Sequence, residues 1–202
     1  MAYSARFKHL ETRVKELRKR FLPARFSGTG AYSAEELDKA RAFRMLVHAE
    51  LESYFEERAI DIVDSAFQLW KSKGKPSVPI VHLLTGVSEV QGLPSELGTK
   101  RTALSISGSV VATYKKKIND NHGIRTSNLL RILLPIGILE ADLDAAWIAT
   151  TDGFGGKRGA TAHHTAIKYT IDPKDDFQTV GQIMTGVRDL DLLLNAIKVK
   201  LR

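Results

Sequence analysis

The chain has 202 residues, enough for one sizeable core, and its 43% hydrophobic and 26% charged residues suit a globular protein rather than a disordered one. It contains no cysteine, which excludes disulfide frameworks and thiolate metal sites and makes the cytoplasm the expected location. Thirty Lys and Arg against 23 Asp and Glu leave a formal charge of +7, a balance that favours an anionic partner such as nucleic acid.

Arg6, Lys8, Glu11, Arg13 and Lys15 stand where a signal peptide would need an unbroken apolar run. Over the same stretch Phe7, Leu10, Val14, Leu17 and Phe21 recur every three or four positions, which predicts an amphipathic helix from Ser4 to Leu22, ended by Pro23. Residues 23–32, with Gly28 and Gly30, read as a loop. Ser33 and Glu36 then form a capping-box pair that opens a second helix. Its spacing persists from Leu37 through Trp70 to Lys73 and Gly74 without a proline, and that length leaves room for a kink.

Residues 74–101 hold Pro76, Pro79, Gly86, Gly92, Pro94 and Gly98, so an irregular insert is expected there, with at most one helical turn in the apolar island from Val78 to Leu84. Such an insert would border a binding groove or a partner surface. A helix follows from Thr102 to Asn119, with Lys115, Lys116 and Lys117 at its C-terminal end, where cations suit the dipole. Ser127 to Leu134 predicts a short helix stopped by Pro135 and Gly137. The most apolar run, Leu129 to Ile138, is interrupted by Arg131 and Pro135 and is too short to cross a membrane.

A further helix begins near Leu143 and leads into Gly153, Gly155 and Gly156. Asp172 followed by Pro173, a cap and a proline at the first helical position, opens the last helix, with Asp175 and Asp176 in its first turn. Only residues 166–171 have any strand character. The expected fold is therefore all-α, one domain over residues 1–202, built on a long central helix.

Several standard sites are missing: the sequence holds no Walker-type phosphate loop, no nucleophile elbow and no H-x3-H zinc pair, and no metal or cofactor is expected. Gly153, Gly155 and Gly156 do not follow a strand, which excludes a dinucleotide fingerprint. What remains is Lys157, Arg158 and the adjacent His163 and His164. Cleaving RNA without a metal needs a base for the 2'-hydroxyl, positive charge on the crowded phosphorane and an acid for the leaving oxygen. Histidine exchanges protons near neutrality, and arginine stays charged and binds phosphate oxygens in a planar fork.

Arg158-Gly159-Ala160-Thr161-Ala162-His163 fits an R-x4-H pattern. It is preceded by Asn121-His122-Gly123-Ile124, by Asn128-Leu129-Leu130, by Leu133-Leu134-Pro135-Ile136-Gly137, and by Arg41-Ala42-Phe43 and His48 through Ser53 on the long helix. In this order the segments resemble the RiboL-PSP-HEPN group of the HEPN superfamily, over roughly Arg41 to Thr165. The position after the arginine, commonly polar in HEPN nucleases, is Gly159.

That resemblance implies a helical bundle with residues 33–165 as the HEPN core, flanked by an N-terminal helix and loop over residues 1–32 and a C-terminal helix over residues 166–202. It also implies a symmetric homodimer and single-stranded RNA cut to a 2',3'-cyclic phosphate. Members serve as toxins or anti-phage defence effectors, so an antitoxin or defence-system partner accompanies the expectation. Arg158 and His163 are the expected catalytic pair, with His164 assisting and Glu50 orienting one of them; Lys157, Lys115, Lys116 and Lys117 are the expected RNA contacts.

Helical spacing bears on the same residues. Five steps turn about 500°, leaving Arg158 and His163 about 140° apart, so either Gly159 breaks the helix or two copies of the motif face each other across a two-fold axis. His48, at i±4 from Arg44 and Glu52, is expected in a surface column, and His122 at a helix terminus. A non-catalytic HEPN module that binds RNA or protein, and a plain helical scaffold, are the competing readings.

Overall fold

In the computed structural model, which describes residues 2–91, 103–163 and 171–201, Ser4 opens the first helix, α1 (Ala5–Phe21). Its hydroxyl accepts from the Phe7 amide at 3.0 Å, and Phe7, Leu10, Val14 and Leu17 are buried, as their spacing predicts. Arg18 lies against the rings of Phe26 and Phe177, 5.5 and 5.3 Å from their centroids, and so ties the loop after α1 to the last helix.

The second helix, α2 (Ala34–Lys73), runs 40 residues without a break, about 60 Å. Its capping box is formed: the Glu36 amide donates to Ser33 Oγ at 3.2 Å and the Ser33 amide to Glu36 Oε2 at 2.8 Å. Gly74, at φ +63°, closes it in the left-handed conformation that favours glycine. A helix this long persists because it is buried on several sides, and Phe43, Val47, Leu51, Tyr54, Phe55, Ile62 and Val63 are all in the core.

Around α2 the other helices are held in register by long-range polar pairs. Antiparallel α1 meets it through Arg6 to Glu57 and Arg13 to Glu50. The last helix, α7 (Pro173–Val199), begins as expected at Asp172 and Pro173 and runs parallel to α2, joined by buried Arg44 to Asp176 and Arg58 to Asp191. α4 (Ala103–Asn119) is antiparallel to α2, with Lys115 on Asp64 and Gly108 against the Phe67 ring. α5 (Thr126–Leu133) continues into a 3-10 turn, Leu134–Ile136, and stops at Gly137, φ +87°.

The stretch expected to be irregular contains a helix, α3 (Val78–Gln91). Pro79 falls in the first turn, where amides have no intrahelical acceptor and a missing donor is harmless. Gly86 weakens the helix by about 1 kcal/mol relative to alanine, while Ile80 and Leu83, three apart, are buried on one face. A Cβ at Gly137 would come 2.7 Å from Val78, so the turn after α5 and the start of α3 depend on a glycine there for space as well as for φ. The rest of the insert, residues 92–101, and the strand character expected over residues 166–170 lie outside the described residues.

The helix before α7, α6 (Ala145–His163), is antiparallel to both α2 and α7. Asp144 caps it by accepting from the Trp147 amide at 2.7 Å, and Trp147, Ile148, Thr151 and Phe154 line its buried face. The described residues are all-α, with no strand, and no helix among them is long and apolar enough to cross a membrane.

Two substitutions test this packing. A Cβ at Gly186 would stand 2.2 Å from Cδ1 of Trp147. Gly186→Ala is therefore expected to lower the unfolding free energy, overpacking of about 1–3 kcal/mol outweighing the propensity gain of about 1 kcal/mol. Asp176→Ala, which takes from buried Arg44 the carboxylate it grips with two nitrogens, is expected to lower the unfolding free energy by about 3–5 kcal/mol, and the double change Arg44→Met with Asp176→Leu by much less. Urea denaturation of the three variants measures both.

Candidate active site

The R-x4-H element is the C-terminal end of α6, and it is anchored from within. Arg44, 2% exposed, grips Asp176 on α7 with two nitrogens, Nη2 at 2.7 Å and Nε at 3.1 Å, and turns Nη1 to the Thr161 hydroxyl at 2.9 Å. The Thr161 hydroxyl in turn donates to the Lys157 carbonyl at 2.8 Å. One buried guanidinium thus joins α2, α6 and α7 at the middle of the motif. Lys157 adds an outer tie to Asp175 at 2.6 Å.

Thr161 is three residues beyond Arg158, so both belong to the stripe of α6 turned toward α2. One turn along α2 from Arg44 stands His48, also 2% exposed. Burial, and then the charge of Arg158, hold the His48 pKa down to about 4 from an ordinary 6.5. His48 is neutral at physiological pH, and its Nδ1 stands 3.7 Å from Glu52, beyond hydrogen-bond reach. Among the described residues neither His48 Nδ1 nor the half-buried Arg158's Nε has a hydrogen-bond partner. The enclosed Arg158 Nε–H is a cationic donor without an acceptor, a costly arrangement in a folded protein that marks a place where one is wanted.

α6 is helical through Gly159 to His163, and Gly159 has no positive φ. Of the two geometries the spacing allowed, a break at Gly159 is therefore not the one adopted, and by helical register His163 stands about 140° round α6 from Arg158. The His163 side chain and all of His164 lie outside the described residues.

Other expected site residues are placed elsewhere. Glu50 accepts from Arg13 at 3.1 Å, so among the described residues its partner is on α1 and is neither Arg158 nor a histidine. Glu50 is two positions along from His48, which puts them on nearly opposite sides of α2. Lys115 is taken by Asp64 and Lys157 by Asp175, while Lys116 is exposed and Lys117 half-buried. His48 is in the interior rather than in a surface column.

The segment from Asn121 to Ile124 has a structural task. Buried Asn121 donates to the Gly123 carbonyl at 3.0 Å and to Glu56 at 3.1 Å, and accepts from Asn128 at 2.9 Å, fixing the turn between α4 and α5. His122 beside it is exposed. Asp152 on α6 then receives the Thr126 amide at 2.8 Å, which binds the start of α5 to the helix that carries the motif.

Sequence reasoning missed Arg44, His48 and Asp176. A signal existed: Ala40, Arg44, Val47, Leu51, Tyr54 and Arg58 follow the 3-4 spacing of a single buried stripe, so two arginines lie on the face meant for the core. No family model, curated protein or solved structure matches the chain.

His48 gives the site a pH signature. Between pH 6.5 and about 4 the unfolded chain takes up a proton on His48 that the folded chain refuses, so stability falls as pH is lowered through that window. The expected loss reaches a few kcal/mol. His48→Gln should flatten it, read as the difference between parent and variant urea midpoints at pH 7 and pH 4.5.

Proposed function

We propose that the chain is a HEPN-type, metal-independent endoribonuclease that cuts single-stranded RNA at the end of α6. The observation that supports this reading is the enclosed, unpartnered Nε of Arg158, whose charge acts on a buried, neutral His48. A phosphate oxygen is the acceptor that this Nε–H lacks. With a neutral neighbour and no carboxylate paired to it among the described residues, Arg158 has its charge available for the phosphorane.

In this reading the proton work falls to His163, with His164 assisting. A base is most effective when its pKa lies near the working pH, and His48, held near 4, is poorly matched to neutral solution. His48 therefore acts as a neutral wall that shapes the position of Arg158. Glu50 stays with Arg13 and takes no part.

Because α6 carries the motif as a continuous helix, Arg158 and His163 of one copy do not meet on a shared face. A two-fold homodimer in which each arginine works beside the partner's histidine resolves the geometry. The chain would act as a cytoplasmic toxin or anti-phage effector.

Cleavage of defined RNAs in chelator, with end-group analysis, tests the proposal. The parent is expected to leave 2',3'-cyclic phosphate ends and to run as a dimer in light scattering. His163→Ala should lose about 100- to 10,000-fold in rate. Arg158→Lys, which keeps the charge and loses the fork, should be badly impaired while remaining folded by circular dichroism. An inactive parent across a broad RNA panel, or parental cleavage by His163→Ala, would defeat the nuclease reading and leave a non-catalytic RNA-binding module.

A further inference from the structure

A groove of about 440 Å³, within the size range of small-ligand sites, opens where α3, α4, α5 and the 3-10 turn after α5 meet. It is distinct from the Arg158 site: among the described residues none of its lining belongs to α2, α6 or α7.

Its walls divide by chemistry. Leu134 and Leu139, 40% and 49% exposed, form an apolar side together with Leu130. Lys117 from α4 and Arg131 from α5 supply two cations, and the His82 ring from α3 lines the same groove. Elsewhere on the bundle Lys115, Lys157, Lys198 and Arg125 are each tied to an aspartate. Among the described residues neither Lys117 nor Arg131 is in an ion pair, and no carboxylate is among the lining residues. Two uncompensated cations next to exposed leucines and a flat ring match a ligand that is anionic at one end and flat and apolar at the other.

We propose that this groove holds one nucleotide of a single-stranded RNA. Its phosphate sits between Lys117 and Arg131, and its base lies against Leu134, Leu139 and His82. Stacking of bases on flat side chains and neutralisation of phosphates by Lys and Arg are the two terms by which single strands are generally held. The choice of RNA rests on the ribonuclease reading; the phosphate and the flat ring rest on the groove. RNA held there while the same strand reaches the cleavage site makes the groove a second contact for substrate.

The test uses the full chain and a fluorescent 2'-O-methyl decanucleotide, which cannot be cleaved, with anisotropy read over a range of salt. Lys117→Glu and Arg131→Glu are each expected to weaken binding about tenfold or more and to lower the logarithmic salt slope by about 0.7 per lost phosphate contact. Should either charge reversal disturb the fold by circular dichroism, the glutamine variants are expected to show the same slope change. Leu134→Ser and Leu139→Ser should weaken the intact strand and leave an abasic strand bound as before.

Parental affinity and slope in folded Lys117 and Arg131 variants would overturn the proposal. So would equal weakening of intact and abasic strands by the leucine changes, or displacement of the strand by a polyglutamate peptide whose own binding depends on the same residues. Cleavage of unmodified RNA is scored separately, so a chain that cuts RNA yet ignores these substitutions disproves the groove alone, and one that never cuts yet responds to them disproves the nuclease alone.

Discussion

Asp191 is the fixed point of the bundle. Fully buried on α7, it accepts from the Ser4 amide at 2.7 Å, the Ser4 hydroxyl at 2.6 Å, the Tyr54 hydroxyl at 2.9 Å, Arg58 at 3.1 Å and Asn195 at 3.3 Å. A buried carboxylate is tolerable only when its charge and lone pairs are met, and here α1 supplies two donors, α2 two and α7 one. The start of α1, the middle of α2 and the last third of α7 are thereby brought to one place. A second buried pair, Arg44 with Asp176, repeats the arrangement near the start of α7. Two such fixed points on parallel helices set the register of α7 along α2, which apolar packing alone leaves free to slide by a turn.

The candidate site inherits its geometry from the second of these pairs. Arg44 would be needed by Asp176 even without a function, yet its remaining nitrogen goes to Thr161 inside the R-x4-H element. That bond fixes the rotation of α6 so that Arg158 falls on the stripe facing α2, from which its charge acts on His48. Position is thus transmitted from a structural ion pair to a cation whose own Nε has no partner. Buried networks of this kind hold side chains more narrowly than packing does, because each unmet donor carries a penalty.

The glycines of α6 show how tertiary contact overrides local preference. Gly153, Gly156 and Gly159 face open space and weaken the helix, each by about 1 kcal/mol relative to alanine. Trp147, Ile148 and Phe154 are buried on the other side, and Asp152 is held by the Thr126 amide, so the helix persists through them. Gly155 differs, since a Cβ there would approach Arg125 to 3.1 Å, and the close approach of α6 to the start of α5 uses its small size. In α3 the reverse error of local reading occurs: proline at the second position is compatible with a helix, and the apolar pair Ile80 and Leu83 gives that helix a buried face.

By itself the sequence determined the helices whose ends carry their own signals: Ser4, the Ser33 and Glu36 box, Gly74, Gly137, and Asp172 with Pro173 all act within one turn of the chain. It also determined the apolar faces of α1 and α7, because a 3.6-residue period is local information, and it singled out Arg158 by its spacing from His163. Only the tertiary structure decided which charges go inside. Asp176 reads as an ordinary first-turn acid and His48 as a surface residue until a partner 132 residues away in sequence buries Arg44, or until Arg158 arrives from α6. Likewise Glu50 and Arg158 both seek a partner, and which one Glu50 takes depends on α1 lying closer to its side of α2. Partner choice among charges is settled by desolvation and distance in the packed state, and neither quantity exists until the helices have met.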